Sequence, residues 1–398
     1  MSDLQIRLLA EDEWRAASTL FSATLHSAPV DDAGWPQVRG RYQPDRSFGA
    51  FEGTVLVGTA RSFDAELTVP GGAHLPMAAV SDVGVRADRT RRGVLTAMMR
   101  AQLASVAEHA VPVASLRASE AVIYGRFGYG VASRARSLTL DPRRVTLSAT
   151  SPVGGEIELL ERDKLLARLP ELYAAQPHRP GMITRPKYWW SEAGWFLTRP
   201  PKLVRGVVHR GARGVDGFAT YTIARAHGAA GTMRVEDLHC GTAEAFGSLW
   251  RFLLSVDLVH EVTTAERALD EPVELLLTDS RAWRTTGVTD ETWLRLVDVP
   301  TALRAREYGE GSVVIEVCDR LLPANSGCYR LGPDGVAMVD RRPQLTLDVD
   351  ALAMLYLGDR SATQLAVAGR LAVLDPAALP VADRVFATDV APWCGTFF

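Results

Sequence analysis

The residues best equipped for chemistry are Arg89, Arg91, Arg92 and Gly93, set between a β-branched run (80–85) and an amphipathic stretch (93–106). The run alternates as a buried strand does. In the stretch, Val94, Leu95, Met98, Met99, Leu103 and Val106 recur at three- and four-residue steps, as on one face of a helix. A helix opens with N–H groups that lack internal partners, and its aligned peptide dipoles favour an anion there. Arginines at that end oppose the dipole unless an anion sits between them. The arrangement predicts a loop that holds a pyrophosphate; a plain basic surface loop is the alternative. The absence of Gly-Lys-Ser/Thr excludes a P-loop, and one glycine does not make a dinucleotide fingerprint.

Two other places carry reactive groups. Tyr124 opens Tyr124-Gly125-Arg126-Phe127-Gly128-Tyr129-Gly130. Those glycines precede a strand instead of joining a strand to a helix, so they read as a turn. Tyr124 itself offers a phenol of ordinary pKa near 10, unless it is a core tyrosine with a bonded hydroxyl. The chain ends Trp-Cys-Gly-Thr-Phe-Phe. An aromatic, uncharged end is unusual, because chain ends are commonly polar and frayed. It predicts either a terminus docked for stability or a terminal carboxylate delivered to a particular place.

Composition bounds the rest. The 398 residues suffice for two or three domains, and 47% hydrophobic with 23% charged is ordinary for a globular chain. A net charge of −3 argues against a general nucleic-acid partner, whose affinity would rest on phosphate neutralisation. The acidic start and the lack of a long apolar run lead us to expect a cytoplasmic protein without a membrane partner. Four scattered cysteines without Cys-x-x-Cys suggest reduced thiols, and no histidines have ligand spacing, so no metal is expected.

The elements follow in order. Strands are predicted at 4–9, 48–52, 54–63, 66–69 and 74–85, with a helix at 11–25. After the helix at 93–106 come strands at 112–117 and 131–140, giving an α/β domain with a largely antiparallel front. From about 150 the order repeats: a strand at 156–160, helices at 162–175 and around Tyr188, Trp189, Trp190 and Trp195, strands at 203–209, 216–224 and 232–239, a helix at 242–256 and a strand at 273–278. The second strand-to-helix connection has no arginine before the helix and puts Glu244 in the first turn, which opposes an anion. A strand at 293–298 precedes a helix opened by Pro300. Two β-rich runs, 312–318 and 326–340, and a helical stretch at 348–374 complete the chain. The domains are predicted at 1–148, 149–295 and 296–398.

Thr90-Arg91-Arg92-Gly93-Val94-Leu95 resembles motif A of the GNAT acetyltransferases, Arg/Gln-x-x-Gly-x-Gly/Ala. Together with ASEAVIYGRFGYG, RLVDVPTALRAREY, LYLG at 355–358 and the ending FATDVAPWCGTFF, the whole chain resembles the Eis (enhanced intracellular survival) family. The resemblance implies an α/β (α+β) fold of tandem GNAT-like domains followed by a sterol-carrier-protein-like domain, assembled as a homo-hexamer. It implies acetyl transfer from acetyl-CoA to primary amines of aminoglycosides, lysine or polyamine-like acceptors, small molecule or peptide. Val83 and Val85 would align the pantetheine. Arg91, Arg92 and Gly93, with the amides of Val94 and Leu95, would hold the pyrophosphate, and Ser119 would touch the cofactor. Tyr124 would be the general acid and the α-carboxylate of Phe398 the general base. Asp31, Asp32 and Trp35 would line the acceptor pocket. Asp82 stands where family members carry an aromatic residue, implying a more acidic pocket, and Thr90 replaces an arginine of the loop. The second GNAT-like domain would bind no coenzyme A. A non-catalytic acyl-CoA-binding or interaction protein with a lipid-binding third domain is the alternative class.

Overall fold

Alternating apolar residues build the first sheet. In the computed structural model, which describes residues 4–198, 203–226 and 230–398, β1 (Leu4–Leu8), β2 (Ser47–Glu52), β3 (Val55–Thr68) and β4 (His74–Val85) pair antiparallel in that order. Helices α1 (Trp14–Thr24) and α2 (Trp35–Arg39) join β1 to β2. β5 (Val113–Leu116) lies parallel to β4, which requires a crossover, and α3 (Val94–Glu108) supplies it. Val94, Met98, Met99, Leu103 and Val106 form the buried face of α3. A short helix, α4 (Ala121–Tyr124), follows β5. β3 is one strand where the sequence predicts two. Phe63, Ala65 and Leu67 are buried while Asp64 and Glu66 are exposed, so the strand period continues across the expected break.

The chain divides into two units. The first comprises residues 1–133, 179–189 and 291–398, the second 134–178 and 190–290. In the first unit Trp293–Leu296 pairs antiparallel with β5. Helix Val299–Ala305 then starts with Asp298 accepting from the Thr301 N–H at 2.9 Å and Pro300 in its first turn, as Pro300 predicts. A second sheet has the order Gly335–Met338, Gly327–Gly332, Val313–Cys318, Leu345–Asp348, Leu371–Val373. The predicted helical stretch at 348–374 is two helices, Val349–Tyr356 and Ala362–Val367, then a strand. Gly358 separates the helices at φ +90°, a conformation that favours glycine. The buried Arg306 donates to the carbonyls of Tyr356 (2.8 Å) and Phe386 (2.9 Å), at the C-terminal ends of two helices where the dipole favours a cation. One core joins Phe63, Leu67 and Met77 of the first sheet to Val299, Ile315, Tyr329 and Tyr356.

The second unit repeats the strand order. Glu156–Leu160, Arg205–Gly211, Gly214–Ala224 and Gly231–Cys240 are antiparallel neighbours. Helix Ala243–Leu254 crosses to Val259–Ala268, which lies parallel to Gly231–Cys240. The strand expected at 273–278 is therefore at Val259–Ala268. Residues Val273–Leu276 form instead a 3-10 turn after Pro272, burying Val273 and Leu276 at three-residue spacing. The real strand is disguised by a bulge between Thr264 and Arg267 and by the buried pair Arg267–Glu271 (2.6 Å). Among the described residues no helix is long and apolar enough to cross a membrane.

Candidate active site

β4 changes character at Asp82. Its pairing with β5 ends at Val80↔Leu116, so residues 81–85 have an edge that β5 does not cover. On the other side the register with β3 slips between Thr59 and Arg61, and Asp82 takes φ +51°: this is a bulge, a device that re-aims a strand. Val83 and Val85 are half-buried on this splayed end. In the loop that follows, Arg86 is bonded to Asp88 (3.0 and 3.1 Å), and Arg89 to Glu52 (2.7 Å) and Asp88 (2.8 Å). Thr90 braces the loop by donating to the Ala87 carbonyl at 3.1 Å. Arg91 and Arg92 are exposed and pair with no carboxylate among the described residues.

The start of α3 is equally open. Its N-cap is Gly93 at φ +85°, with no side-chain cap and no acidic residue in the first turn. Arg91 also has positive φ, +61°. The amides of Val94 and Leu95 thus open a helix whose first donors no side chain satisfies. Two unpaired guanidiniums, uncapped amides and a positive dipole end fit a pyrophosphate. Ser119 is exposed just beyond β5.

Tyr124 ends α4, 5% exposed, with its ring edge-on to Tyr129 at 6.1 Å in a cluster that includes Val80, Leu116 and Trp293. Its hydroxyl has no hydrogen-bond partner among the described residues. The ring packs as the core-tyrosine alternative describes. Burial, assisted by Glu120, pushes the phenol up to about 12, correcting the ordinary value near 10 expected from the sequence.

The end of β5 also receives the C-terminal tail. Arg117, next after Leu116, donates to the Thr396 carbonyl at 2.9 Å. Phe398 is half-buried, edge-on to Phe63 at 5.8 Å, and Phe63 is edge-on to Tyr188 at 5.4 Å. Trp393 is 5% and Thr396 1% exposed, but Phe397 is 70% exposed under the Arg117 guanidinium (5.6 Å). Phe397 does not pack in apolar surroundings: after the bend at Gly395 the Thr396 side chain is buried and the Phe397 ring is exposed. Cys394 is wholly buried, and burial beside Glu291 raises its thiol to about 11.

The acceptor-side residues gather differently from expectation. Asp31 accepts from its own turn, from the Gly34 N–H at 2.8 Å. Asp32 is exposed and pairs with Arg15, whose guanidinium lies 5.7 Å from the Trp35 ring. Trp35 leans on Tyr42 at 6.1 Å. Asp82 does not make the pocket more acidic. It is 3% exposed and bonded to Arg61 (2.9 Å), Arg41 (3.0 Å) and the Tyr42 hydroxyl (3.1 Å). Burial opposes its charge, and the two arginines still hold its carboxyl below the usual range. The Asp82 carboxylate is thus neutralised inside its own cluster. Arg61 also lies 5.7 Å from Phe63, which touches Phe398, so Asp82, Trp35 and the terminus share one chain of contacts. Sequence reasoning misses Tyr42, Arg61, Arg117, Arg185, Trp189 and Glu291. Arg61 alone leaves a signal, a charge inside a run of buried positions in β3.

In the second unit the matching helix start is closed. Thr242 caps Ala243–Leu254 by accepting from the Ala245 N–H (3.1 Å) and donates to Asp216 (2.8 Å), and Glu244 occupies the first turn. Among the described residues no group of three His, Cys, Asp or Glu side chains is arranged to hold a metal ion.

Comparison with known proteins agrees with this architecture. Residues 5–132 and 181–296 each match an acetyltransferase (GNAT) domain, and 299–395 match a sterol carrier protein domain. An uncharacterized N-acetyltransferase of Streptomyces avermitilis is 38% identical over 421 residues, covering 100% of this chain and 99% of its own. N-acetyltransferase Eis of Mycobacterium bovis is 36% identical over 357 residues, 86% of each chain. The crystal structure of Eis1 from Mycobacterium abscessus superposes with a TM-score of 0.91 at 37% identity, covering 99% of this chain and 100% of that one. With the tandem domains, the third domain and full-length likeness to these enzymes, the chain belongs to the Eis family of GNAT N-acetyltransferases.

Proposed function

We propose that the first GNAT domain transfers an acetyl group from acetyl-CoA directly to a primary amine, in a ternary complex. The observation that carries this is the loop at α3: Arg86 and Arg89 have carboxylate partners, whereas Arg91 and Arg92 have none among the described residues and directly precede an uncapped helix start. Arg91, Arg92, Gly93 and the amides of Val94 and Leu95 hold the pyrophosphate; the splayed end of β4, with Val83 and Val85, aligns the pantetheine; Ser119 is a further contact. Acetyl-CoA supplies an activated acyl group as a thioester.

The chain's own groups manage the protons. An alkyl amine has a pKa of about 10.4 and must lose a proton before it attacks. The carboxylate of Phe398 accepts that proton, directly or through water. The Tyr124 hydroxyl, without a partner among the described residues, donates a hydrogen bond to the sulfur as charge develops there. A thiolate of ordinary pKa about 8.5 is a weaker base than the Tyr124 phenolate, so full transfer is uphill and the hydrogen bond comes first. Cys394, protonated and wholly buried, is unsuited to form an acetyl-enzyme.

Aminoglycosides, lysine side chains and polyamine-like molecules are the acceptor classes. Assembly as a homo-hexamer goes with the family reading. The test is thiol release from acetyl-CoA with a panel of amines, followed by initial rates with both substrates varied. Intersecting lines support direct transfer. Parallel lines would overturn it, and no thiol release with any amine would favour a non-catalytic acyl-CoA-binding protein.

A further inference from the structure

The last six residues belong to no helix or strand, yet Trp393, Cys394 and Thr396 are buried. Buried backbone groups need partners. In this tail they come from side chains of fixed elements. The Cys394 N–H donates to one oxygen of Glu291 at 2.9 Å and the Gly395 N–H to the other at 2.8 Å. Glu291 is 1% exposed, on strand Trp283–Leu296, and is steadied by the Ser133 hydroxyl at 2.9 Å and by Arg117 at 3.5 Å. Arg117 in turn holds the Thr396 carbonyl, and Arg185 donates to the Gly395 carbonyl and the Thr396 hydroxyl, both at 3.0 Å. Trp189 donates to the Phe397 carbonyl at 2.9 Å. Gly395 has φ +62°, and a Cβ there would meet the Trp393 ring at 2.3 Å. The tail is therefore bent back on Trp393 with both N–H groups of the bend turned to one carboxylate.

We infer that Glu291, backed by Ser133 and Arg117, is a positioning residue that fixes where the terminal carboxylate of Phe398 stands. This rests on the reading of that carboxylate as the base. Gly395 is three residues from the carboxylate. Each residue spans at most about 3.6 Å, so freeing the bend lets the terminal group wander over several ångströms, and a misplacement of about 1 Å can cost ~10²-fold in rate. A buried carboxylate that takes two consecutive N–H groups from a chain end places that end.

The experiment is a double-mutant cycle. Glu291→Gln, which keeps one acceptor oxygen and loses the charge, is combined with a single glycine appended after Phe398. Turnover, acetyl-CoA KM and trimming of the terminus by carboxypeptidase are measured. Glu291→Gln alone should lower kcat about tenfold or more, leave the acetyl-CoA KM within about twofold, and speed release of the terminal phenylalanines. In the glycine-extended chain, where the carboxylate is already displaced, the same substitution should cost almost nothing further. An equal loss in both backgrounds, or unchanged kcat and trimming in Glu291→Gln, overturns the inference while leaving the base reading intact. A glycine extension that keeps wild-type turnover removes the base reading itself. Should Glu291→Gln not fold by circular dichroism, Ser133→Ala must show the same non-additive pattern with a smaller loss, and an additive one counts against the proposal.

Discussion

Within seven residues, Arg86 and Arg89 have carboxylate partners while Arg91 and Arg92 have none among the described residues. Charge without a partner at a helix start is what a bound anion would use. Arg91→Ala should therefore weaken acetyl-CoA binding by about 1.5–3 kcal/mol, the worth of a charge-assisted bond, with the fold unchanged by circular dichroism. Calorimetry reads this directly, and wild-type affinity would refute the loop assignment. Tyr124 makes a different demand. Its phenol, pushed up to about 12 by burial, stays protonated throughout the neutral range, so no activity should be lost through its ionisation below about pH 11. Tyr124→Phe should lower turnover by ~10²-fold with little change in acetyl-CoA affinity. The variant should also keep the wild-type pH profile in shape. Full turnover in it would make Tyr124 a packing residue.

Elements show what could be read in advance and what could not. The strand, basic loop and helix from Val80 to Val106 were legible because periodicity and charge act within a few residues. Glu244 in the first turn, with no arginine before it, likewise opposed an anion at the second helix start, and the structure adds the cap by Thr242 and its bond to Asp216. Acetyl-CoA should accordingly bind with one site per chain, and a calorimetric stoichiometry of two would overturn the reading of the second domain. The strand Val259–Ala268 was not legible, since its bulge and its buried Arg267 break the alternation that marks strands. Asp82 was read as an acid facing the acceptor because its partners, Arg41, Tyr42 and Arg61, lie 21 to 41 positions away in sequence. Nothing local in a sequence reports a neutralised charge. For the same reason the aromatic ending pointed to a docked tail, while Arg117, Arg185 and Glu291, which hold it, could not be found.

At the scale of the molecule, the first unit joins the first sheet, residues 179–189 and the C-terminal domain in one body, and the chain's last residues return to the end of β5. That return bears on the proposed base, a group that exists only at a free terminus. An α-carboxyl has an ordinary pKa of about 3.3–3.7 and is ionised at neutral pH, as a base must be. The most direct measurement is the pH dependence of turnover for the wild-type chain and for one bearing a single glycine after Phe398. The added residue turns the carboxylate into a neutral amide and moves the charge away. The account predicts a fall in turnover of ~10²-fold or more, with the melting temperature and acetyl-CoA affinity nearly unchanged and the acid limb of the profile altered. Wild-type turnover with a wild-type pH profile in the extended chain would contradict it.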